Sequence, residues 1–179
     1  MRVFLAIDLP EKIKRDITKY QQNLNLPGKV KLVQANQLHI TLFFWDNLNK
    51  EKQIKVEKAI EKITTNFKTF ILRIEKLSGF PGPKKARIVF LNLEGKKIQT
   101  LHKIIKKELC QLTYQIPVES RKFIPHLTLA RLRLPVNIQN YSQPKKEQFK
   151  VKQITLYQSK LSAKGAIHKP IKEFKLSEN

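Results

Sequence analysis

His39-Ile40-Thr41-Leu42 recurs as His126-Leu127-Thr128-Leu129, 87 residues further along a chain of 179. The repetition extends beyond the tetrads. Residues 2–8 (RVFLAID) match 87–93 (RIVFLNL) at an offset of 85, and Phe70-Ile71-Leu72-Arg73-Ile74 matches Phe149-Lys150-Val151-Lys152-Gln153. Three elements in one order at similar offsets mark an internal duplication. A unit of about half the chain is too small to bury its own faces, so it pairs with its copy, and a pseudo-twofold between two such lobes creates a cleft where equivalent strands face each other. The expectation is one domain over 1–179 made of two pseudo-symmetric lobes, roughly 1–80 and 84–179, with strands free to cross between them.

Outward from the tetrads, the pattern alternates between strand and helix. A strand is predicted at 2–8, and a helix at 11–24 with Ile13, Ile17, Tyr20 and Leu24 on one stripe, stopped by Asn25-Leu26-Pro27-Gly28. Residues 38–45 (LHITLFFW) read as a buried strand, 51–67 as a helix through Val56, Ile60, Ile63 and Phe67, and 69–77 as a strand. Ser78-Gly79-Phe80-Pro81-Gly82-Pro83 is the densest turn signal and is taken as the junction of the halves. After it come a strand at 87–93, a helix at 96–112 with Ile98, Leu101, Ile105, Leu109 and Leu112 on its apolar face, and a strand at 126–132. Residues 133–146 lack periodicity and read as a loop. One strand is expected over 148–161, where the apolar parity switches between Phe149/Val151 and Ile154/Leu156 and so implies a bulge or bend, and a last strand over 166–176.

Each tetrad has a chemical meaning on a strand. Positions i and i+2 share a face, so His39 with Thr41, and His126 with Thr128, each present an imidazole beside a hydroxyl, while Ile40, Leu42, Leu127 and Leu129 point into a core. Two imidazoles flanking a substrate can act as general acid and general base at once, because histidine titrates at about 6.5. Threonine hydroxyls can hold non-bridging phosphoryl oxygens and stabilise developing charge. A lone His-x-Thr in a strand is ordinarily structural; its duplication at matching places is what points to chemistry. No carboxylate or cysteine at ligand spacing accompanies the histidines, which weakens a metal reading. His102 reads as a surface or boundary residue of its helix, and His168 as a residue of the last strand for which a structural place outweighs a substrate contact.

Composition narrows the partner. With 36 Lys+Arg against 14 Asp+Glu the formal charge is +22, which favours a polyanion without choosing among RNA, DNA, a membrane surface and a ribosome. Lysine-rich surfaces also suit proteins from hot environments. At 41% hydrophobic the chain can fold without staples, which excludes disorder as a description of the whole. No run reaches the length of a membrane span, the N-terminus reads as a strand rather than a signal peptide, and the single Cys110 excludes an internal disulfide framework. The expectation is a cytoplasmic protein with no membrane association, and nothing in the sequence demands more than a monomer. Lysine and arginine clusters such as Lys29/Lys31, Lys84/Lys85/Arg87 and Arg131/Arg133 mostly cover solvated faces, those near the junction and the second tetrad being placed to steer a strand of RNA. Phe43, on the His39/Thr41 face of a regular strand, and Tyr141 are candidates to stack on a base.

On Phe4-Leu5-Ala6-Ile7, the first tetrad with Phe44 after it, and Phe123-Ile124-Pro125-His126-Leu127-Thr128-Leu129-Ala130-Arg131, the chain resembles the 2H phosphoesterase superfamily. Within it the match is to the RNA 2′,3′-cyclic phosphodiesterase family, also described as 2′-5′ RNA ligase. The resemblance covers nearly the whole chain. It implies a two-lobed α+β fold, with antiparallel sheets flanked by helices and a cleft between the lobes. It also implies hydrolysis of a terminal 2′,3′-cyclic phosphate to a 2′-phosphate with no metal or other cofactor. By position, His126 would be the base that activates water, His39 the acid that protonates the departing 3′-oxygen, Thr41 and Thr128 the phosphate ligands, and Arg131 a charged contact to substrate. The implied partner is RNA with a cyclic phosphate end, including tRNA fragments or small cyclic nucleotides. Two departures stand out: Trp45-Asp46 where the family continues with a small apolar residue and glycine, and His168 where it often has an aromatic. The reverse reaction, 2′-5′ ligation, would use the same histidines. A basic RNA-binding module with structural tetrads is the alternative from another class.

Overall fold

A computed structural model describes residues 1–112, 122–162 and 165–178. Its nine strands among these residues form two antiparallel sheets. Strand β1 is Val3–Asp8, β2 Val30–Leu32, β3 His39–Trp45, β4 Phe70–Phe80 and β5 Ala86–Glu94; β6 is His126–Val136, β7 Gln148–Val151, β8 Gln153–Ser162 and β9 Gly165–Lys175. The helices are α1 (Glu11–Asn23), α2 (Lys50–Asn66) and α3 (Lys96–Leu112). The first sheet runs β3-β1-β8-β9 and the second β2-β6-β5-β4-β7.

Strands do cross between the halves. Each sheet has at its centre the opening strand of one half, β1 or β5, flanked by the tetrad strand of the same half and by a strand of the other half, β8 or β4. Helices cross as well. Gln21 of α1 donates from Nε2 to the carbonyls of Val33, at 3.0 Å, and of Leu129 on β6, while His102 of α3 stacks on Phe43 of β3 at 4.5 Å. Apolar stripes explain these helices: Ile13 and Ile17 of α1, Val56 and Ile60 of α2, and Ile98, Leu101, Ile105 and Leu109 of α3 are buried. Asn49 caps α2, its side chain accepting from the Lys52 amide at 2.9 Å. The side chain of Leu112, expected on the same stripe of α3, lies outside the described set.

The duplication is more regular in space than in the sequence. Ala6 pairs with Thr41 and Asp8 with His39, as Phe90 pairs with Thr128 and Asn92 with His126, so the opening strands correspond at an offset of 84 rather than 85. Both ladders shift register at the same place, between Leu5 and Ala6 and between Val89 and Phe90, which leaves Leu42 and Leu129 as equivalent bulge residues. The seven residues from His39 and the seven from His126 then share one burial pattern. The bulged Leu129 carbonyl takes the Val33 amide at 2.8 Å in addition to Gln21, which satisfies a group the ladder cannot use.

Three expectations are corrected, and one strand was unforeseen. The chain over 148–161 is two strands: at Lys152 it leaves the second sheet, where β7 pairs with β4, and enters the first, where β8 pairs with β1. The parity switch in the sequence records this change of sheet. The turn signal from Ser78 is overridden to Phe80 by pairing with β5, and β6 runs on to Val136 into the expected loop. The short β2 has too little periodicity to be read and exists by pairing with β6.

Gly79 of β4 leaves no room for a side chain against β5: a Cβ there would meet the Ala86 side chain and lie 3.2 Å from the Ile88 carbonyl oxygen. Gly79→Ala is expected to cost about 1–3 kcal/mol through this overpacking, read as a lower urea midpoint with an unchanged m value.

Candidate active site

Both tetrad strands present side chains to one cleft. His39, Thr41, His126, Thr128 and Arg131 all line a single cavity of about 310 Å³ between the sheets. The bulge explains how Arg131 joins them. In a regular strand Ala130 would share the face of His126 and Thr128; with Leu129 bulged, Ala130 is buried and Arg131 turns to the cleft. The same geometry at the first tetrad buries Phe43 and turns out Phe44, which is 43% exposed and lines the cavity. Phe44 and Arg131 are therefore counterparts under the pseudo-twofold. Phe43, expected on the His39/Thr41 face, is turned off that face for this reason and lines a neighbouring cavity instead, whereas Tyr141 lines neither, packing against the core.

Both imidazoles are locked alike. His39 Nδ1 lies 2.7 Å from the Gln37 carbonyl oxygen and His126 Nδ1 2.7 Å from that of Ile124, each two residues upstream. A carbonyl only accepts, so Nδ1 carries hydrogen and donates in both rings, and the neutral imidazole keeps its lone pair on Nε2. Each ring is also wedged by aromatics: Phe4 at 4.8 Å from His39, and Phe80 and Phe90 at 5.3 and 5.2 Å from His126.

Burial pulls His39 down to about 4, and nearby His168 and His126 act in the same direction, against the Gln37 hydrogen bond and the charge of Asp8. His168 is held below the usual histidine value, also by burial. Its ring stands edge-on to Phe4 at 4.8 Å and to His39 at 5.4 Å, and it lines the cleft. The sequence favours a structural place for it; the long β8–β9 pairing, which sets His168 opposite Ser159, carries it to the site instead. Lys31 also reaches the cavity, on the unforeseen β2, and Gln37 ties the rim by donating to the Ala166 carbonyl of β9.

A second, larger cavity of about 670 Å³ adjoins the first. The two share Thr41, Phe44 and His126; His39, Thr128 and Arg131 line only the smaller. Aromatic rings dominate the larger, from Phe43, Phe44, Phe80 and Phe123, with Arg87 and Lys122 at its wall. His102 belongs here rather than at the surface, sandwiched between Phe43 at 4.5 Å and Phe123 at 4.0 Å with rings nearly parallel. The Trp45-Asp46 departure is accommodated locally: Trp45 is buried against Phe43, and Asp46 pairs with Arg2 at 3.5 Å while that guanidinium lies 5.2 Å from the Phe44 ring centre. Among the described residues no group of three or more His, Cys, Asp or Glu is gathered to hold a metal ion, and no helix is long and apolar enough to cross a membrane.

Residues 9–162 match the model of the 2′-5′ RNA ligase superfamily. The chain is 30% identical over 181 residues to the RNA 2′,3′-cyclic phosphodiesterase of Methanocaldococcus jannaschii, covering 97% of this chain and 100% of that protein. In fold it is similar to the crystal structure of TT0787 of Thermus thermophilus, with a TM-score of 0.90 at 24% identity over 98% of both chains. It is likewise similar to Escherichia coli LigT complexed with 3′-AMP, with a TM-score of 0.84 at 23% identity over 98% of both.

His39 is expected to stay neutral in the free protein until the pH falls towards 4, and to titrate at higher pH once inorganic phosphate occupies the cleft, because an adjacent anion favours imidazolium. Proton NMR of the imidazoles with and without phosphate checks both; a free-protein titration near 6.5 would contradict the burial argument.

Proposed function

The chain belongs to the 2′-5′ RNA ligase superfamily, and from that premise we propose that it opens the terminal 2′,3′-cyclic phosphate of RNA to a 2′-phosphomonoester. The observation that carries this reading is the pairing of two imidazoles, each tied through Nδ1, with two threonine hydroxyls and a guanidinium around one cavity.

In this mechanism His126 Nε2 takes a proton from water, whose oxygen forms the new bond to phosphorus. The bond from phosphorus to the 3′-oxygen breaks in line, and His39 Nε2 supplies the proton that the oxygen needs. Thr41 and Thr128 donate to the non-bridging oxygens, and Arg131 adds a charged contact as the pentacoordinate centre gains charge. His39 is neutral in the empty site, so the incoming phosphate anion is what raises it into the protonated form its role requires. The excess of lysine and arginine supplies the field that brings RNA to the cleft. On this reading residues 1–179 act as one domain, as a cytoplasmic monomer, on RNA ends such as those of tRNA fragments or on small cyclic nucleotides.

The larger cavity favours a second reading, ligation. It touches His126 but not His39, so it lies on the side of the attacking group, where water needs little room and a nucleoside carrying a 5′-hydroxyl needs a stacking surface. The same two histidines would then join the ends through a 2′-5′ linkage.

Purified protein incubated in EDTA with RNA ending in a cyclic phosphate is expected to yield the 2′-monoester. His39→Ala and His126→Ala are each expected to lower turnover by about two orders of magnitude or more, and Thr41→Val or Thr128→Val by about a hundredfold, with RNA binding little changed. Full activity in the double histidine variant would sink the assignment of these two residues, and a wild-type protein that binds RNA but opens no cyclic phosphate would leave a binding module. When a 5′-hydroxyl strand is also supplied, a 2′-5′ linked product that falls in Phe123→Ala supports ligation; an unchanged yield removes the cavity from it.

A further inference from the structure

The pseudo-twofold is broken at one position beside each histidine. Asp8 is the ladder partner of His39, and Asn92, at the same place in the other sheet, is the ladder partner of His126. Directly opposed residues of antiparallel strands present their side chains to one face, about 5 Å apart. The two neighbours are nearly equal in size and differ in charge.

The difference continues into the next strand. Asp8 Oδ2 accepts from the Thr155 hydroxyl at 2.8 Å and Oδ1 from the Tyr157 hydroxyl at 2.7 Å. Thr155 pairs with Ala6 and Tyr157 with Phe4, as Ser78 pairs with Phe90 and Phe80 with Ile88. The trio Asp8, Thr155 and Tyr157 thus corresponds to Asn92, Ser78 and Phe80. Where the first half has a carboxylate held by a phenol, the second has an amide and a phenyl ring that lies edge-on to His126.

Both hydroxyls donate to Asp8, so the carboxylate is an acceptor at both oxygens and carries its charge. Tyr157 keeps its proton, since burial and the bond to Asp8 drive its hydroxyl well above the ordinary tyrosine value. The other groups that face His39 are cationic or become so: His168 on β9, His126 and Arg131 on β6, and Lys31 on β2. Asp8 is the anion of this set, and it stands beside one histidine only.

We propose that Asp8, held by Thr155 and Tyr157, is a positioning residue that makes His39 the proton donor, and that Asn92 in the mirrored place leaves His126 the acceptor. The proposal rests on the phosphodiesterase reading for the direction of proton flow, whereas the charge asymmetry itself is measurable without turnover.

Asp8→Asn gives both histidines the same neighbour. With inorganic phosphate bound, His39 of this variant is expected to titrate about one pH unit or more below wild type by NMR. Because the acid must be protonated in the complex, the alkaline limb of the kcat profile should move to lower pH, with kcat on that limb down about tenfold and KM within about twofold. Asn92→Asp should raise the His126 titration and move the acidic limb to higher pH, and it stands as the test if Asp8→Asn does not fold. Unchanged titrations and limbs in a folded variant would overturn the proposal. A wild-type protein that opens no cyclic phosphate would overturn the functional reading instead, the NMR titrations still deciding the asymmetry.

Discussion

A single extra residue in each tetrad strand organises the site. Leu42 and Leu129 are bulged out of their ladders, and a bulge reverses which face every later residue occupies. Before it, the histidine and threonine of each tetrad look into the cleft; after it, Phe44 and Arg131 do, where a flat strand would present Phe43 and Ala130. The bulge thus lets a run of seven residues place three side chains on the cleft while still burying four. It also frees a carbonyl that must be satisfied, and the bonds to Leu129 from Val33 and Gln21 bind α1 and the segment after β2 to β6 of the other half. The geometry of the cleft and the contact between halves depend on the same irregularity.

The two histidines gain different properties from nearly identical surroundings. Their backbone anchors are equal, two residues upstream at 2.7 Å, so ring orientation and tautomer are common to both. What differs is charge and solvation: His39 shares its pocket with His168 and Asp8, whereas His126 opens on the aromatic cavity that Phe44 and Phe123 line. Such differences in surroundings are enough to part the roles of two side chains of one type.

Much of this was legible in the sequence for a physical reason. Helix stripes and strand boundaries came through because apolar periodicity survives in α1, α2 and α3, and the tetrads stood out because a duplication repeats them. The residues that sequence misplaced share a cause as well. Phe43, His102 and His168 are where they are because of pairing between strands distant in the chain: a register shift hides Phe43, a stack between β3 and the segment before β6 holds His102, and the β8–β9 hairpin delivers His168. Strand β2 has three residues and no pattern of its own. Local periodicity cannot report such couplings; only the parity switch at Lys152 left a trace, and it marked a change of sheet rather than a bend.

The exchange of strands has a further meaning. Each sheet takes two of its strands from the other half, which is the arrangement of a swapped dimer in which each copy lends strands to its mate. In a dimer of identical units the twofold is enforced, and whatever neighbour one histidine has, the other must have too. Joining the two copies into one polypeptide releases that requirement. The fused chain can keep the shared cleft and still put a carboxylate beside one imidazole and an amide beside the other, so that a symmetric scaffold can have a direction for its proton.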